Sequence, residues 1–185
     1  KVIALDQTGL SQKGGSVVSH LKILTDLDKE CSSRVSSGES DAYLVFDLLT
    51  GTNPVNLSRL HKKRSISVIS TSEIPTGDMV RSTKKEYPDS THLIDLIKEF
   101  SKENILLNAT ELSEHFFASN MQANFIVIGA AYQSGYVSLN ADSILEAIRI
   151  NGVVVKKNQD AFNLGRKIVT DPNWLQSLSL YRSGN

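Results

Sequence analysis

The chain has 185 residues with 20 basic and 20 acidic side chains, so bulk charge offers nothing to nucleic acid or to an anionic membrane surface. It is long enough for one domain with a substantial core, and no window approaches the ~18–20 apolar residues of a spanning helix. A single cysteine, Cys31, excludes an internal disulfide and a four-thiolate iron–sulfur or zinc site built by one copy, and suits a cytoplasmic setting.

Lys1–Leu5 reads as a β-type run, and the sequence shows no charged-then-apolar signal stretch ahead of it. Entering a strand at once, it is expected to be a fragment or to lack its beginning. Asp6–Gly15 is polar and holds Gly9, Gly14 and Gly15; Ser16–Leu24 is a second β-type run. Tandem glycines after a strand tip point to a positive φ or a close backbone approach. Gln12, Lys13, Ser16, Ser19 and His20 set donors around that backbone, and Lys13 adds a cation. Together they suit an anionic or polyoxygenated partner, although a plain polar β-turn accounts for the same residues equally well.

Residues 25–41 form a polar loop, and Ala42–Leu48 reads as a strand buried on both faces. Asn53-Pro54 opens a short helix with Asn53 as its cap, and Lys62, Lys63 and Arg64 are expected at that helix's end. Ser65–Thr71 alternates as a strand, and Glu73–Arg81 reads as a loop. Asp89 or Ser90 caps a helix with a stripe of Leu93, Ile97 and Phe100. A short strand follows at Ile105–Leu107, then a helix from Thr110 carrying Leu112 and Phe116 one turn apart.

Asn124–Gln133 is apolar nearly all round, which predicts a central helix thinned at Gly129, Ala130 and Ala131 and ended by Gly135. The next helix is marked by Asn140 as N-cap, Leu139 and Ile144 as a staple, and Asn151-Gly152 as its stop. A last amphipathic helix spans Val153–Val169 through Val154, Ala161, Phe162 and Ile168, and Asp171-Pro172 stops it. The tail to Asn185, with Trp174, is expected to pack outside the core.

This order of elements describes an α/β fold, a three-layer α/β/α sandwich on a mixed, mostly parallel sheet. The first two runs are too close for a parallel crossover, so at least one pair should be antiparallel. The sheet edge where such folds bind ligands would gather Asp6–Gly15, Asp47–Thr52 and Thr71–Thr76.

No catalytic constellation is present. His20, His61, His92 and His115 lack metal-ligand spacing, and the last three read as helix-surface residues. There is no G-x-S-x-G elbow, no Walker lysine, and the glycine spacing is not the dinucleotide fingerprint. By residue chemistry this is a binding or docking domain.

The segment DQTGLSQKGGSVVSHLKI resembles the signature of the gamma domain of 2-oxoacid:ferredoxin oxidoreductases, most of all the large fused indolepyruvate type. SGESDAYLVFDLL, VISTSEIPTGDMV, NFIVIGAAYQSG and LNADSILEAIRINGVVVKKNQDAFNLGRK continue the likeness in order over about residues 2–168. The resemblance implies a gamma domain over 1–169 and a C-terminal tail over 170–185. It implies an enzyme that decarboxylates a 2-oxoacid oxidatively to an acyl-CoA and passes electrons to ferredoxin. Thiamine diphosphate, iron–sulfur clusters and coenzyme A belong to the full enzyme, and none is expected to be bound by this chain alone. The implied partners are the thiamine-binding and iron–sulfur domains or subunits, with ferredoxin reached indirectly and a homodimer left open; no nucleic acid or membrane is implied. Gln12, Lys13, Gly14, Gly15 and Ser16, beside Ser11, would face the thiamine site, with Lys13 as counter-charge to a phosphate or carboxylate. Family members carry a strand and glycine-rich turn ahead of the part matching Lys1–Leu5, and that part is missing from this sequence. A stand-alone coenzyme A- or nucleotide-binding module and a purely structural docking domain are the alternatives.

Overall fold

The alternating residues at the N-terminus fold as a hairpin. Strands β1 (Val2–Thr8) and β2 (Val17–Ile23) pair antiparallel, from Val2 opposite Ile23 to Thr8 opposite Val17. A computed structural model describes residues 1–9, 16–28, 30–81 and 86–177. Strands β3 (Ala42–Val45), β4 (Ile66–Ser70) and β5 (Glu103–Leu107) form a parallel sheet in the order β3-β4-β5. The α/β class and the mixture of strand directions are as expected, with the antiparallel pair forming a sheet of its own. The short connection between β1 and β2 can close only a hairpin.

The chain divides into two compact units, residues 1–67 with 73–104 and residues 68–72 with 105 onward. In the first unit β3 ends at Val45, short of the expected Leu48. The carboxylate of Asp47 accepts the Thr50 N–H at 2.7 Å and starts helix α1 (Leu48–Gly51). Asn53 caps α2 (Pro54–Leu57) as expected, accepting the Val55 N–H at 3.0 Å. That helix stops at Leu57, so Lys62, Lys63 and Arg64 do not lie at its end; they lie in the turn before β4, where Arg64 pairs with Asp41. Both side chains of that pair are largely exposed, so it contributes little stability.

The stretch read as a loop, Glu73–Arg81, contains the short helix α3 (Gly77–Arg81), whose Met79 N–H donates to Thr76 Oγ1 at 3.3 Å. Asp89 caps α4 (Ser90–Phe100), which buries Leu93 and Ile97 and leaves Phe100 exposed. β4, the middle strand of three, is buried along its whole length rather than on alternate residues, so both of its faces are covered. The buried serines in and just before it are therefore paired: Ser67 and Ser101 hydroxyls lie 2.7 Å apart, and the Ser65 hydroxyl donates to the Ser40 carbonyl at 2.6 Å.

In the second unit α5 (Ala109–Phe117) begins one residue before Thr110, because Asn108 accepts the Glu111 N–H at 3.2 Å. Helix α6 (Ala123–Gln133) is central as expected and buries Ile126, Val127, Gly129, Ala130 and Ala131; Gly135 follows it with φ 83°. Asn140 caps α7 (Ala141–Asn151), and Gly152, at φ 74°, ends it. Helix α8 (Val155–Thr170) starts later than expected, because Val154 sits in the left-handed region at φ 41° and is exposed instead of joining the apolar stripe. Asp171 ends α8, and α9 (Pro172–Ser177) lays Trp174 beside Phe116, with Lys167 Nζ 3.8 Å from the indole centroid.

Helices α6 and α8 touch backbone to backbone. A Cβ on Gly129 would lie 2.0 Å from the Phe162 carbonyl oxygen, and one on Gly165 would lie 2.0 Å from that of Ile126. Neither backbone can retreat without moving its helix. Gly165→Ala is therefore expected to cost about 3 kcal/mol or more, measured by urea unfolding. Gly77→Ala, whose nearest atom is the end of Arg81 at 3.9 Å, should stay within about 0.5 kcal/mol of the parent. Equal effects would contradict this account of the crossing.

Candidate docking and ligand-facing site

Period-two alternation divides the hairpin into an outer and an inner face. The outer face carries Val2, Ala4, Asp6 and Thr8 opposite Ile23, Leu21, Ser19 and Val17. Val2 is 62 %, Val17 59 % and Leu21 56 % exposed, so apolar side chains gather there without cover in the chain alone. The ladder is closed at both ends: Gly9 N–H donates to the Ser16 carbonyl at 2.9 Å, and the Lys1 ammonium to the Leu24 carbonyl at 2.9 Å. Ser16 is exposed at the turn end, while Gln12, Lys13, Gly14 and Gly15 lie outside the described residues.

On the inner face His20 is buried between two partners. Its Nδ1 accepts the Val35 N–H at 3.3 Å, which leaves the proton on Nε2 to be donated to Gln7 Oε1 at 3.1 Å. Burial, and then the positive charges of Arg59, Arg34 and Lys22, hold its pKa below the ordinary histidine value. The Val35 carbonyl accepts from Arg59 Nη1, so one residue is gripped through both of its backbone polar groups. Arg59 Nε is buried without a hydrogen-bond partner. Nearby, the Tyr43 hydroxyl donates to the Gly51 carbonyl at 2.9 Å; burial pushes that phenol well above its usual pKa, and Arg59 opposes the shift.

The segments expected at the ligand edge are largely occupied with local structure. Asp6–Gly9 is strand and strand end, and Asp47 is a cap. In the second unit the Ser72 hydroxyl donates to Asn108 Oδ1 at 2.8 Å and accepts the Thr110 N–H at 3.1 Å, fixing the start of α5. In the first unit the Tyr87 hydroxyl is buried; burial, and then the charge of Asp47, raise its pKa, with Glu73 adding to the rise and the Ile74 backbone opposing it. His92 on α4 and His115 on α5 are exposed as expected, whereas His61 lies in the turn before β4, where its Nδ1 accepts the Lys63 N–H. Arg59, with its grip on Val35, escapes sequence reading because nothing in its spacing ties it to His20.

Three comparisons bear on this arrangement. The family model described as pyruvate ferredoxin/flavodoxin oxidoreductase matches residues 1–168. The indolepyruvate oxidoreductase subunit IorB of Archaeoglobus fulgidus is 24 % identical over 168 residues, covering 89 % of this chain and 78 % of that protein. The crystal structure of the pyruvate oxidoreductase subunit PORC of Thermotoga maritima is similar with a TM-score of 0.55 and 16 % identity, covering 90 % of this chain and 79 % of that one. That last likeness is one of fold.

Because the folded-state pKa of His20 lies below its unfolded value, the unfolded chain takes up this proton first as pH falls. The stability held by neutral His20 is complete above the unfolded value and is lost as pH drops through the folded one. Urea midpoints should therefore fall between about pH 7.5 and pH 5, and His20→Gln should remove part of that slope. His20→Ala should cost about 1–3 kcal/mol at pH 7.5 by leaving the Val35 N–H without its acceptor. An unchanged slope in His20→Gln would contradict this assignment.

Proposed function

Since the chain belongs to the pyruvate ferredoxin/flavodoxin oxidoreductase family, we propose that it is the non-autonomous gamma domain of a thiamine diphosphate-dependent, indolepyruvate-type 2-oxoacid:ferredoxin oxidoreductase. In this reading residues 1–169 are the domain proper and 170–185 a tail. The full enzyme converts a 2-oxoacid to an acyl-CoA, hands electrons to ferredoxin, and works in the cytoplasm. Among the described residues no helix is long and apolar enough to cross a membrane.

The observation that carries the reading is the uncovered outer face of the β1–β2 hairpin. Burying Val2, Val17 and Leu21 against a neighbouring module would contribute about 1.5–3 kcal/mol for each side chain fully covered. The residues present do not fit the redox groups of such an enzyme. One cysteine cannot hold a four-thiolate cluster, and the described residues include no group of three His, Cys, Asp or Glu side chains placed to hold a metal ion. Thiamine diphosphate supplies the electron sink for decarboxylation in such enzymes. In our reading this chain offers a docking face and, through Gln12, Lys13, Gly14, Gly15 and Ser16, a polar turn directed at the neighbour's thiamine site. Lys13 would balance a phosphate or carboxylate there.

The chain alone, supplied with thiamine diphosphate, coenzyme A and indolepyruvate, is expected to leave viologen oxidised. Recombined with thiamine-binding and cluster-bearing partner subunits, it should support turnover. Val2→Asp combined with Leu21→Asp should weaken that recombination by about tenfold or more while leaving the thermal midpoint of the free chain nearly unchanged. Turnover by the chain alone, or assembly indifferent to the two aspartates, would overturn the proposal.

A further inference from the structure

Arg166 on α8 is held by side chains of both crossing helices of the second unit. Its Nε–H donates to Gln133 Oε1 on α6 at 3.2 Å, and its Nη1 donates to Asn163 Oδ1, one turn back on α8, at 3.1 Å. The guanidinium carbon lies 5.3 Å from the Tyr132 ring centroid and 5.8 Å from that of Phe162. The backbone beneath it belongs to the close approach itself, since a Cβ on Gly129 would lie 3.2 Å from the Arg166 nitrogen. Two rings, two amides and a fixed backbone leave the planar fork little freedom.

What this fork lacks is an acid. Arg64 and Arg149 each pair with a carboxylate, whereas no acid among the described residues pairs with Arg166. Its Nη2 has no hydrogen-bond partner among the described residues either, and Arg166, only half-buried, holds no nitrogen that is both unpaired and closed to water. A guanidinium only donates, so Gln133 and Asn163 must each turn the amide oxygen towards it. Their nitrogens, Gln133 Nε2 and Asn163 Nδ2, are then left without partners among the described residues. The surface around Arg166 thus presents a positive charge and unused donors.

We propose that Arg166, flanked by Gln133 and Asn163, is a contact point for the partner subunits and receives the carboxylate of an aspartate or glutamate side chain. A carboxylate is a monoanion with acceptors only, and its two oxygens match the fork. A phosphate dianion would meet a single guanidinium, because the adjacent Lys167 is drawn over Trp174 at 3.8 Å. A lone exposed ion pair contributes little in water, so a small free carboxylate is not the occupant. The pair gains weight where a partner's surface excludes water around it, as at arginine-centred hot spots, and a fork held in advance lowers the ordering cost. Such a contact presupposes that the chain is one domain of a larger enzyme. It lies in the second unit, whereas the hairpin face belongs to the first.

Recombination of the full chain with thiamine-binding and cluster-bearing subunits is measured at low and at high salt, beside the thermal midpoint of the free chain. Gln133→Glu offers Arg166 an acid from within the chain, and Arg166→Met keeps an unbranched stem over the two rings. Arg166→Met should hold the midpoint near that of the parent, and Gln133→Glu should hold or raise it. Each should weaken recombination about tenfold or more at low salt and much less at high salt. Variants that recombine like the parent at low salt would overturn the contact and leave the domain reading standing; a parent chain that does not recombine at all would overturn both. Equal losses at low and high salt would overturn the carboxylate as occupant. If sedimentation shows the parent chain pairing with itself and the variants not, the acid belongs to a second copy and the assignment to partner subunits fails.

Discussion

The backbone of Val35 is held on both sides, its N–H by His20 and its carbonyl by Arg59, and the anchoring of the hairpin follows from that grip. An isolated two-stranded ribbon is marginal in water, so the hairpin needs an anchor in the body of its unit. His20 provides it on the inner face, with Gln7 from β1 completing the ring's hydrogen bonds. Side chains alternate along a strand, so placing His20 inward places Leu21 and Val17 outward. A slip of one residue would expose the imidazole and bury Leu21 in its stead. Register and the outward apolar face of the hairpin are thus one decision made at one residue.

On the proposed reading, the same arrangement suits a domain whose part is to position its neighbours. The family match covers residues 1–168, and a four-thiolate cluster needs more cysteines than the one in this chain. What the chain holds instead is shape: a rigid crossing of α6 and α8 at two glycines in one unit, and an apolar ribbon facing outward in the other. Rigid elements position a neighbour more accurately than loops do. The gamma-domain reading asks for positioning, which is what these elements supply.

Local chemistry made much of the fold legible in the sequence. Asn53, Asp89 and Asn140 cap the helices they were expected to cap, Gly152 ends α7 in the left-handed region, and Gly129 marks the close approach. These signals lie within a few residues of their effect. Longer-range competition was harder to read. Asp47 starts α1 where the apolar run would otherwise extend β3, and β4 is buried on both faces although its residues alternate as a half-exposed strand would. Val154 looked like an apolar stripe residue and instead adopts the left-handed turn into α8. The polar character of the N-terminal turn was legible; the grip of Arg59 on Val35 was not, since no periodicity links residues so far apart in the chain.

The most direct test of the central claim compares side-chain oxidation by hydroxyl radicals in the free chain and in the assembled enzyme. Val2, Val17 and Leu21 should react in the free chain and become protected on assembly, while Val80 and Met121, at 76 % and 67 % exposure, serve as references in each unit. The account predicts protection centred on the hairpin. If Val2, Val17 and Leu21 stay as reactive in the assembly as before while Val80 or Met121 becomes shielded, partners dock elsewhere and the outward face of the hairpin is not their seat.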